Sequence, residues 1–298
     1  MKIYDCFMFF DEEMLLDLRL NIMDKYVDKF VITEATYTHS GRPKKLVFDI
    51  NKFSKFKDKI IYIVVDKEPP DLFEIEESDR DEKDTRGQKL VLNGYKRDNY
   101  QRQKAQQALN DIDPEDWILI NDIDEIPNLK NVDIRNVKNK LLIFKQKIFY
   151  YKFNLLYPSV SWFGSRACKK KNFLSPQWLR DTKHKKYPLW RLDILFSKRK
   201  YNDIFYVDNG GWHFTNIKSP EDIEKKLLNY THHYEYELSG LNINDLKKKI
   251  SERKIIYDHG VDQREPKWKS EKTLTKIDLK EMPKYLKENS SKYANWLE

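Results

Sequence analysis

The feature that most constrains the fold is a regular alternation of short apolar segments with stretches of helical periodicity. Residues 2–10 (KIYDCFMFF) have the length of a strand, and residues 12–26 then place leucine and isoleucine at helical spacing. Residues 27–34 and 59–65 are again short and rich in β-branched side chains. Because strands that alternate with helices usually form a mainly parallel sheet covered by helices, we predict an α/β fold.

The middle of the chain interrupts this alternation. Residues 66–97 contain Pro69-Pro70, two glycines and many charged side chains, a composition that predicts a long loop. The loop is either a solvated insertion or a lid that becomes ordered when substrate binds. Residues 98–110 then have the composition of a helix, and residues 117–120 (WILI) that of a buried strand.

The second half continues the same architecture. Residues 140–153 predict one or two strands and residues 190–197 another. The Ser-Pro-Glu sequence at 219–221 is typical of a helix start, and residues 242–254 and 279–288 predict two more helices. With no internal repeat and no low-complexity linker, the chain is predicted to be a single domain with a helical C-terminal part.

The charge and the cysteine content limit which partners and which cellular compartment we expect. The 56 Lys and Arg against 48 Asp and Glu give a net charge of +8, and the lysines are spread along the whole chain. We therefore expect no nucleic-acid partner, whereas sugar nucleotides or an anionic membrane face suit a basic surface. Two cysteines and no predicted signal peptide or membrane span favour a cytoplasmic protein.

Three carboxylates follow the buried strand at 117–120. Asp122, Asp124 and Glu125 lie within four positions at its carboxyl end, where open α/β sheets bind ligands. Clustered carboxylates repel one another unless a cation compensates, and oxygen ligands suit Mg²⁺ or Mn²⁺. Such a metal would stabilise a diphosphate leaving group. The alternative interpretation is an acidic turn closed by Pro127.

A second motif is Gly210-Gly211-Trp212-His213, which places two glycines together in a glycine-poor chain. Adjacent glycines permit unusual backbone angles or the close approach of a ligand. His213 is then a candidate to complete a metal site. The alternative is a strand-ending turn with Trp212 in the core and a hydrogen-bonded histidine.

The helix before the acidic strand carries polar residues that suit a nucleotide. Arg97, Asn99 and Arg102 are candidates, because arginine pairs with phosphate through two parallel hydrogen bonds. The alternative is a solvated helix face. The chain has no Gly-x-Gly-x-x-Gly fingerprint, phosphate loop, Cys-x-x-Cys pair or Gly-x-Ser-x-Gly elbow, which disfavours dehydrogenase, kinase-like and hydrolase functions.

Four blocks taken together resemble glycosyltransferase family 17. They are YDCFMFFDEEMLLDLRL, VDKFVITEATYTHSGRPK, DIDEIP and GGWHF, in this order, within a similarity that spans roughly residues 3–260. The resemblance implies a GT-A type domain over residues 1–260, with residues 261–298 as a C-terminal helical extension packed on the same domain. It also implies inverting transfer from a nucleotide sugar, typically UDP-N-acetylglucosamine, with Mn²⁺ or Mg²⁺.

The resemblance also assigns residues. Asp122 and Asp124 match the Asp-x-Asp segment that binds metal and ribose in such enzymes, and His213 resembles the later histidine that completes the metal site. Glu34 would lie near the base or ribose, and Arg102 would face the same pocket. An inverting enzyme also needs a general base, for which Glu235 is the first candidate and Glu221 the second. Both glutamates also suit plain helix-end positions.

The acceptor is not indicated by the residues. This sequence shows no N-terminal membrane anchor of the kind found in eukaryotic family members, so we expect a cytoplasmic enzyme, with peripheral contact at the inner membrane face, that modifies a glycan or lipid-linked glycan. The oligomeric state stays open. Two alternatives are a nucleotidyltransferase that acts on a sugar phosphate and a carbohydrate-binding protein without turnover.

Overall fold

The computed structural model describes residues 1–80, 85–184, 203–258 and 267–298, together with residues 187, 188, 190–194, 197 and 200. Twelve strands form within these residues: β1 (Ile3–Phe9), β2 (Lys29–Ala35), β3 (Ile60–Val65), β4 (Trp117–Ile120), β5 (Glu125–Pro127), β6 (Leu141–Phe144), β7 (Gln146–Tyr150), β8 (Leu155–Trp162), β9 (Arg166–Lys169), β10 (Ile204–Val207), β11 (Gly211–Thr215) and β12 (Thr275–Lys276). The α-helices of the same residues are α1 (Glu13–Met23), α2 (Thr85–Gln103), α3 (Pro176–Asp181), α4 (Pro220–Leu227), α5 (His233–Ser239), α6 (Ile243–Ser251) and α7 (Lys284–Glu288).

The larger sheet has seven strands in the order β10-β6-β9-β4-β1-β2-β3. The pairs β1–β2, β2–β3, β1–β4 and β6–β10 are parallel, and β9 runs antiparallel to both β4 and β6. The predicted α/β class with a mostly parallel sheet is confirmed. Because β1, β2 and β4 are parallel, the segments that follow them emerge at one edge of the sheet.

The smaller sheet has five strands in the order β12-β8-β7-β11-β5. It is mainly antiparallel, with a parallel pairing between β7 and β11. From the sequence we predicted one mainly parallel sheet and did not predict this second one. It matters for the site, because β5 begins directly after the acidic turn that leaves β4.

Helix α1 covers one face of the larger sheet. Its leucines and Met23 are fully buried beside Phe7 of β1 and Phe30 of β2 in the main hydrophobic core. A fully buried leucine contributes roughly 1.5–3 kcal/mol relative to an exposed one, so this face anchors the sheet. Among the described residues, no helix is both long enough and apolar enough to cross a bilayer.

Two predicted segments differ from the structure. Residues 85–97, predicted as loop, are the first part of α2, whose glycines permit close packing: a Cβ at Gly87 would lie 2.4 Å from Tyr234, and one at Gly94 would lie 2.9 Å from the Thr231 carbonyl. The strand predicted at 190–197 is also wrong in its described part. Leu192–Ile194 form a 3₁₀ turn, and Trp190 is 75% exposed; residues 195 and 196 lie outside the described residues.

The start of β11 requires glycine. Gly211 has a φ of +128°, and a Cβ there would lie 2.1 Å from the Ile126 carbonyl oxygen of β5. The adjacent Gly210 is equally confined, since its Cβ would lie 2.6 Å from the Val207 carbonyl oxygen. The expected unusual backbone angle is found at Gly211, and both glycines pack closely against the backbone; the close approach of a ligand stays a prediction.

Replacing Gly211 by alanine is therefore expected to destabilise the protein by about 3–5 kcal/mol, through backbone strain and a clash with β5. Gly240 is the matched control, because it has a φ of +71° and a methyl group there would meet nothing within 4 Å. Gly240→Ala should cost only about 1–2 kcal/mol, from the backbone angle alone. Urea unfolding of both variants measures the difference, and equal costs would contradict the clash.

Candidate functional site

A cavity of about 670 Å³ opens where β1, β2 and β4 end. Its floor is formed by the segments that follow these strands, including Glu12, Tyr37 and Asp122. Its walls come from α2, α3, β11 and α4 with the segment after it. The wall side chains with polar or charged groups include Tyr95, Asp98, Asn99, Arg102, Gln177, Arg180, His213, Lys226, Tyr230 and His232.

The acidic turn after β4 is fixed from below by Arg19 of α1. The Arg19 guanidinium is fully buried and donates to both carboxylate oxygens of Asp5, at 2.8 and 2.6 Å. It also donates to the carbonyl oxygens of Asp122, Ile123 and Glu125, at 3.2, 3.3 and 2.7 Å. With its carbonyls directed at Arg19, the turn is held in one conformation beneath the cavity.

Two arginines pair with the carboxylates at the two ends of the turn, Asp122 and Glu125. Arg180 of α3 donates to Asp122 at 2.6 Å and to both oxygens of Glu125, at 2.7 and 3.0 Å. Arg102 of α2 reaches the other oxygen of Asp122 at 3.3 Å. Glu125 is fully buried and also accepts from the Trp162 indole at 2.6 Å. Burial opposes its ionisation, but Arg180 outweighs burial and holds the pKa of Glu125 below its usual range.

Asp124 faces the opposite wall. Its carboxylate lies 3.5 Å from the Lys226 ammonium of α4 and 3.6 Å from Nε2 of His213 on β11. Burial raises its pKa, but the charge of Lys226 and the contact with His213 lower it more, so the pKa of Asp124 lies well below its usual range. Asp124 is therefore an ionised carboxylate beside an imidazole and an ammonium group.

Strand pairing sets the place of His213. In the register of β5 and β11, His213 is opposite Glu125, and the Phe214 amide donates to the Asp124 carbonyl at 2.8 Å. The His213 ring stacks on Trp162 with centroids 4.7 Å apart. The smaller sheet therefore places His213 beside the acidic turn.

Comparison with known protein families assigns this chain to one of them. The model of "Glycosyltransferase family 17" matches residues 1–297, nearly the whole chain. The chain belongs to glycosyltransferase family 17. Its cavity, acidic turn and histidine are therefore features of a family 17 member.

Two curated relatives have the same description, "Beta-1,4-mannosyl-glycoprotein 4-beta-N-acetylglucosaminyltransferase", one from Homo sapiens and one from Rattus norvegicus. Each is 29% identical to this family 17 chain over 117 residues, which is 38% of this chain and 19% of the relative. The similarity to each relative thus covers a small part of that protein's length.

Among solved structures, HddC from Yersinia pseudotuberculosis is similar over 70% of this chain and 92% of its own. The sequence identity is 11% and the TM-score is 0.32, a similarity too low to inform the fold or the site.

The family 17 structure brings five of the nine predicted site residues to the cavity. They are Asn99, Arg102, Asp122, Asp124 and His213. Of the three predicted metal ligands, Asp124 and His213 lie 3.6 Å apart, whereas Asp122 is paired with the two arginines. Their roles in binding metal or nucleotide stay predictions.

The other four predicted residues lie outside the cavity lining in the described part of the chain. Glu34 is fully buried and binds Lys44, the amides of Val47 and Phe48, and the Tyr62 hydroxyl. Arg97 pairs with Glu68, Glu221 pairs with Lys247 at the surface, and Glu235 binds His232. Glu34 therefore anchors the loop after β2, and the base roles of Glu221 and Glu235 stay untested.

Three cavity residues that contact the acidic turn were not among the predicted site residues. Arg180 and Lys226 meet the acidic turn from helices far along the chain, and Trp162 meets it from the end of β8. The Ser-Pro sequence at 175–176 is typical of a helix start and precedes α3. The Ser175 side chain caps this helix by accepting from the Trp178 amide. Nothing in the local pattern, however, indicates that Arg180 faces a carboxylate.

Proposed function

We propose that this family 17 chain transfers N-acetylglucosamine from UDP-N-acetylglucosamine to a hydroxyl of a glycan, with inversion at the anomeric carbon. One observation carries the proposal: the Asp122–Asp124 turn faces a cavity that also presents Arg102, Arg180 and Lys226. Three cations beside a carboxylate turn suit a ligand that combines a diphosphate with a divalent cation. The activity for which the two relatives are named supports the sugar.

A divalent cation fits the residues present. Ligand atoms at right angles around Mg²⁺ lie about 3 Å apart, so the 3.6 Å between Asp124 and His213 needs to close by roughly half an ångström. Among the described residues, no group of three or more His, Cys, Asp or Glu is arranged to hold a metal. Asp124 and His213 would therefore hold the ion, with the diphosphate and water completing its coordination, and the ion would neutralise the leaving group.

The chain's own residues account for the rest of the chemistry. The acceptor oxygen forms a bond to the anomeric carbon while the bond to the diphosphate oxygen breaks, and the electron pair leaves with the diphosphate. Lys226 is 3.5 Å from Asp124 with a side chain that is 24% exposed, so it can turn to a phosphate oxygen when Asp124 binds metal. Arg102 and Arg180 hold the Asp122 carboxylate in place to accept from a ribose hydroxyl.

A thermal-shift panel tests the proposal. UDP-, GDP-, CMP- and TDP-sugars are compared with and without Mn²⁺, because a ligand that binds the native state at 100 times its Kd stabilises it by about 2.7 kcal/mol. UDP-N-acetylglucosamine with Mn²⁺ should give the largest rise in Tm. Equal shifts for all nucleotides, or none, would contradict the proposal.

Two further readouts separate the competing functions. Pyrophosphate release from UTP and a sugar phosphate would identify a nucleotidyltransferase instead. Saccharide binding that needs neither nucleotide nor metal would identify a carbohydrate-binding protein. A glycosyltransferase should instead release UDP from the intact donor.

A further inference from the structure

We propose that His232 is the general base of this enzyme, receiving the acceptor's proton through the Tyr95 hydroxyl and held in place by Glu235. The inference rests on the proposed glycosyl transfer and names the residues that move its proton. Tyr95 and His232 line the cavity, and Glu235 lies behind them.

The three side chains form a hydrogen-bonded series that runs out of the cavity. The Tyr95 hydroxyl of α2 lies 3.0 Å from Nε2 of His232, and Nδ1 of His232 lies 2.8 Å from Oε1 of Glu235 on α5. The tyrosine and histidine rings meet edge to face, with centroids 5.3 Å apart. Both ring nitrogens of the histidine are thus engaged by groups of different chemistry.

These partners select one tautomer. An ionised carboxylate only accepts hydrogen bonds, so Glu235 requires the proton of the neutral ring to be on Nδ1. Nε2 then carries a lone pair and accepts from the Tyr95 hydroxyl. The hydrogen bond with His232 holds the pKa of Glu235 below its usual range, which keeps this carboxylate ionised near neutral pH. The arrangement has the logic of a carboxylate-oriented histidine base.

The carboxylates in the cavity are less suited to the task. Of the five that line it among the described residues, four are already paired with cationic side chains: Glu12 with Lys218, Asp98 with Arg102, Asp122 with both arginines, and Asp124 with Lys226. The fifth, Asp181, is exposed and accepts from the Gln177 amide. Asp181 is therefore the competing candidate.

His39 also lines the cavity but lacks the same support. Its ring lies 3.8 Å from Asp98, beyond a hydrogen bond, and Asp98 pairs with Arg102 at 2.7 Å. Its other nitrogen binds Gln101. His232 thus has the shorter carboxylate contact and a phenol in reach of the cavity.

The proton reaches the histidine in two concerted transfers. The acceptor hydroxyl gives its proton to the Tyr95 oxygen while the Tyr95 proton passes to Nε2 of His232, and the freed acceptor oxygen bonds to the anomeric carbon. His232 becomes an imidazolium that Glu235 stabilises. The His232 side chain is 25% exposed, so the proton can leave to water when the product departs.

Several titratable groups surround the histidine and bear on its pH response. Tyr95 faces it from α2, Tyr230 from the segment before α5, and Glu235 from α5. Asp98 and Tyr257 act electrostatically on Tyr95, and Lys267 acts on Glu235.

The test measures hydrolysis of UDP-N-acetylglucosamine with Mn²⁺, in which water replaces the unknown acceptor. His232→Gln should lower kcat by roughly 10²–10⁴-fold and remove the fall in rate on the acid side of the pH profile. Glu235→Gln should lower kcat less and should also change the acid side of the pH profile, because the neutral amide no longer stabilises the imidazolium. The donor-induced rise in Tm should be kept in both.

Tyr95→Phe removes only the hydroxyl and should also lower kcat with donor binding kept. It therefore tests the proton path even if His232→Gln fails to fold. Glu237→Gln, an exposed residue of the same helix with the same charge change, is the matched control and should behave as wild type.

Wild-type rates in His232→Gln or in Tyr95→Phe would overturn the inference. The inference would also be overturned if Asp181→Asn lost the fall in rate on the acid side of the pH profile while His232→Gln kept it. If the wild-type protein hydrolyses no nucleotide sugar, the proposed function fails as well. If the wild type hydrolyses the donor and the variants keep wild-type rates, the proton relay is contradicted but the proposed function is not.

Discussion

Asp124→Asn is expected to lower Mn²⁺-dependent hydrolysis of UDP-N-acetylglucosamine by at least about 100-fold. The substitution keeps the size of the side chain but removes the charge that would bind the cation beside His213. Each ~1.4 kcal/mol lost from leaving-group stabilisation is about tenfold in rate, so several kcal/mol give several orders of magnitude. The Mn²⁺-dependent part of the donor-induced rise in Tm should disappear together with the activity.

The effect of Asp124→Asn on the metal-free protein is expected to be small. Removing one of the three mutually repelling carboxylates of the turn favours the folded state. This gain is small, because Arg180 and Lys226 already compensate these charges. Lys226 loses its partner yet reaches solvent, so Tm should fall by only a few degrees. Asp208→Asn, at a side chain that is 81% exposed, serves as the control. A variant that melts early but hydrolyses donor normally would assign Asp124 to the fold rather than to the metal.

Arg19→Met is expected to produce a large loss of stability. Arg19 and Asp5 are both fully buried and paired at 2.6 Å. Removing one partner of a buried ion pair leaves an uncompensated charge, which costs about 3–5 kcal/mol. For a chain of this size, we expect Tm to fall by on the order of 10 °C. Urea or thermal unfolding of the metal-free protein measures this directly.

Two comparison variants make the Arg19 result specific. Arg135→Met removes a guanidinium from an exposed position and should change Tm by a degree or two at most. Adding Asp5→Asn to Arg19→Met removes the stranded charge and should recover part of the loss. A cost below about 1 kcal/mol for Arg19→Met would show that the buried pair does not anchor the turn.

Local pattern accounts for what could be predicted of the fold. Strands β1 to β4 and helix α1 are short segments whose burial follows directly from their apolar composition, and the carboxylates after β4 follow from their position at a strand end. The start of α4 was equally predictable, since Ser219 caps it and Pro220 takes its first turn. These patterns involve only a few neighbouring residues, so they can be recognised without knowledge of distant contacts.

The remainder depends on contacts that a local window does not contain. Glycines and charges made residues 85–97 resemble a loop, yet Gly87 and Gly94 are there because Tyr234 and Thr231 pack against the helix. The partners of the acidic turn were hidden for the same reason. Arg180 contacts Asp122 and Glu125 only after β9 returns antiparallel to β4 and places α3 beside the cavity.

The pairing of β5 with β11 also bears on how the chain folds. It joins residues far apart in sequence, and loop closure over such a distance must precede any gain from the contacts it brings. High contact order slows folding, so the Asp124–His213 pair should be completed late, together with the equally long-range pairing of β1 with β4. Donor binding then reports completion of the whole topology, and a nascent chain becomes competent only once β11 has left the ribosome.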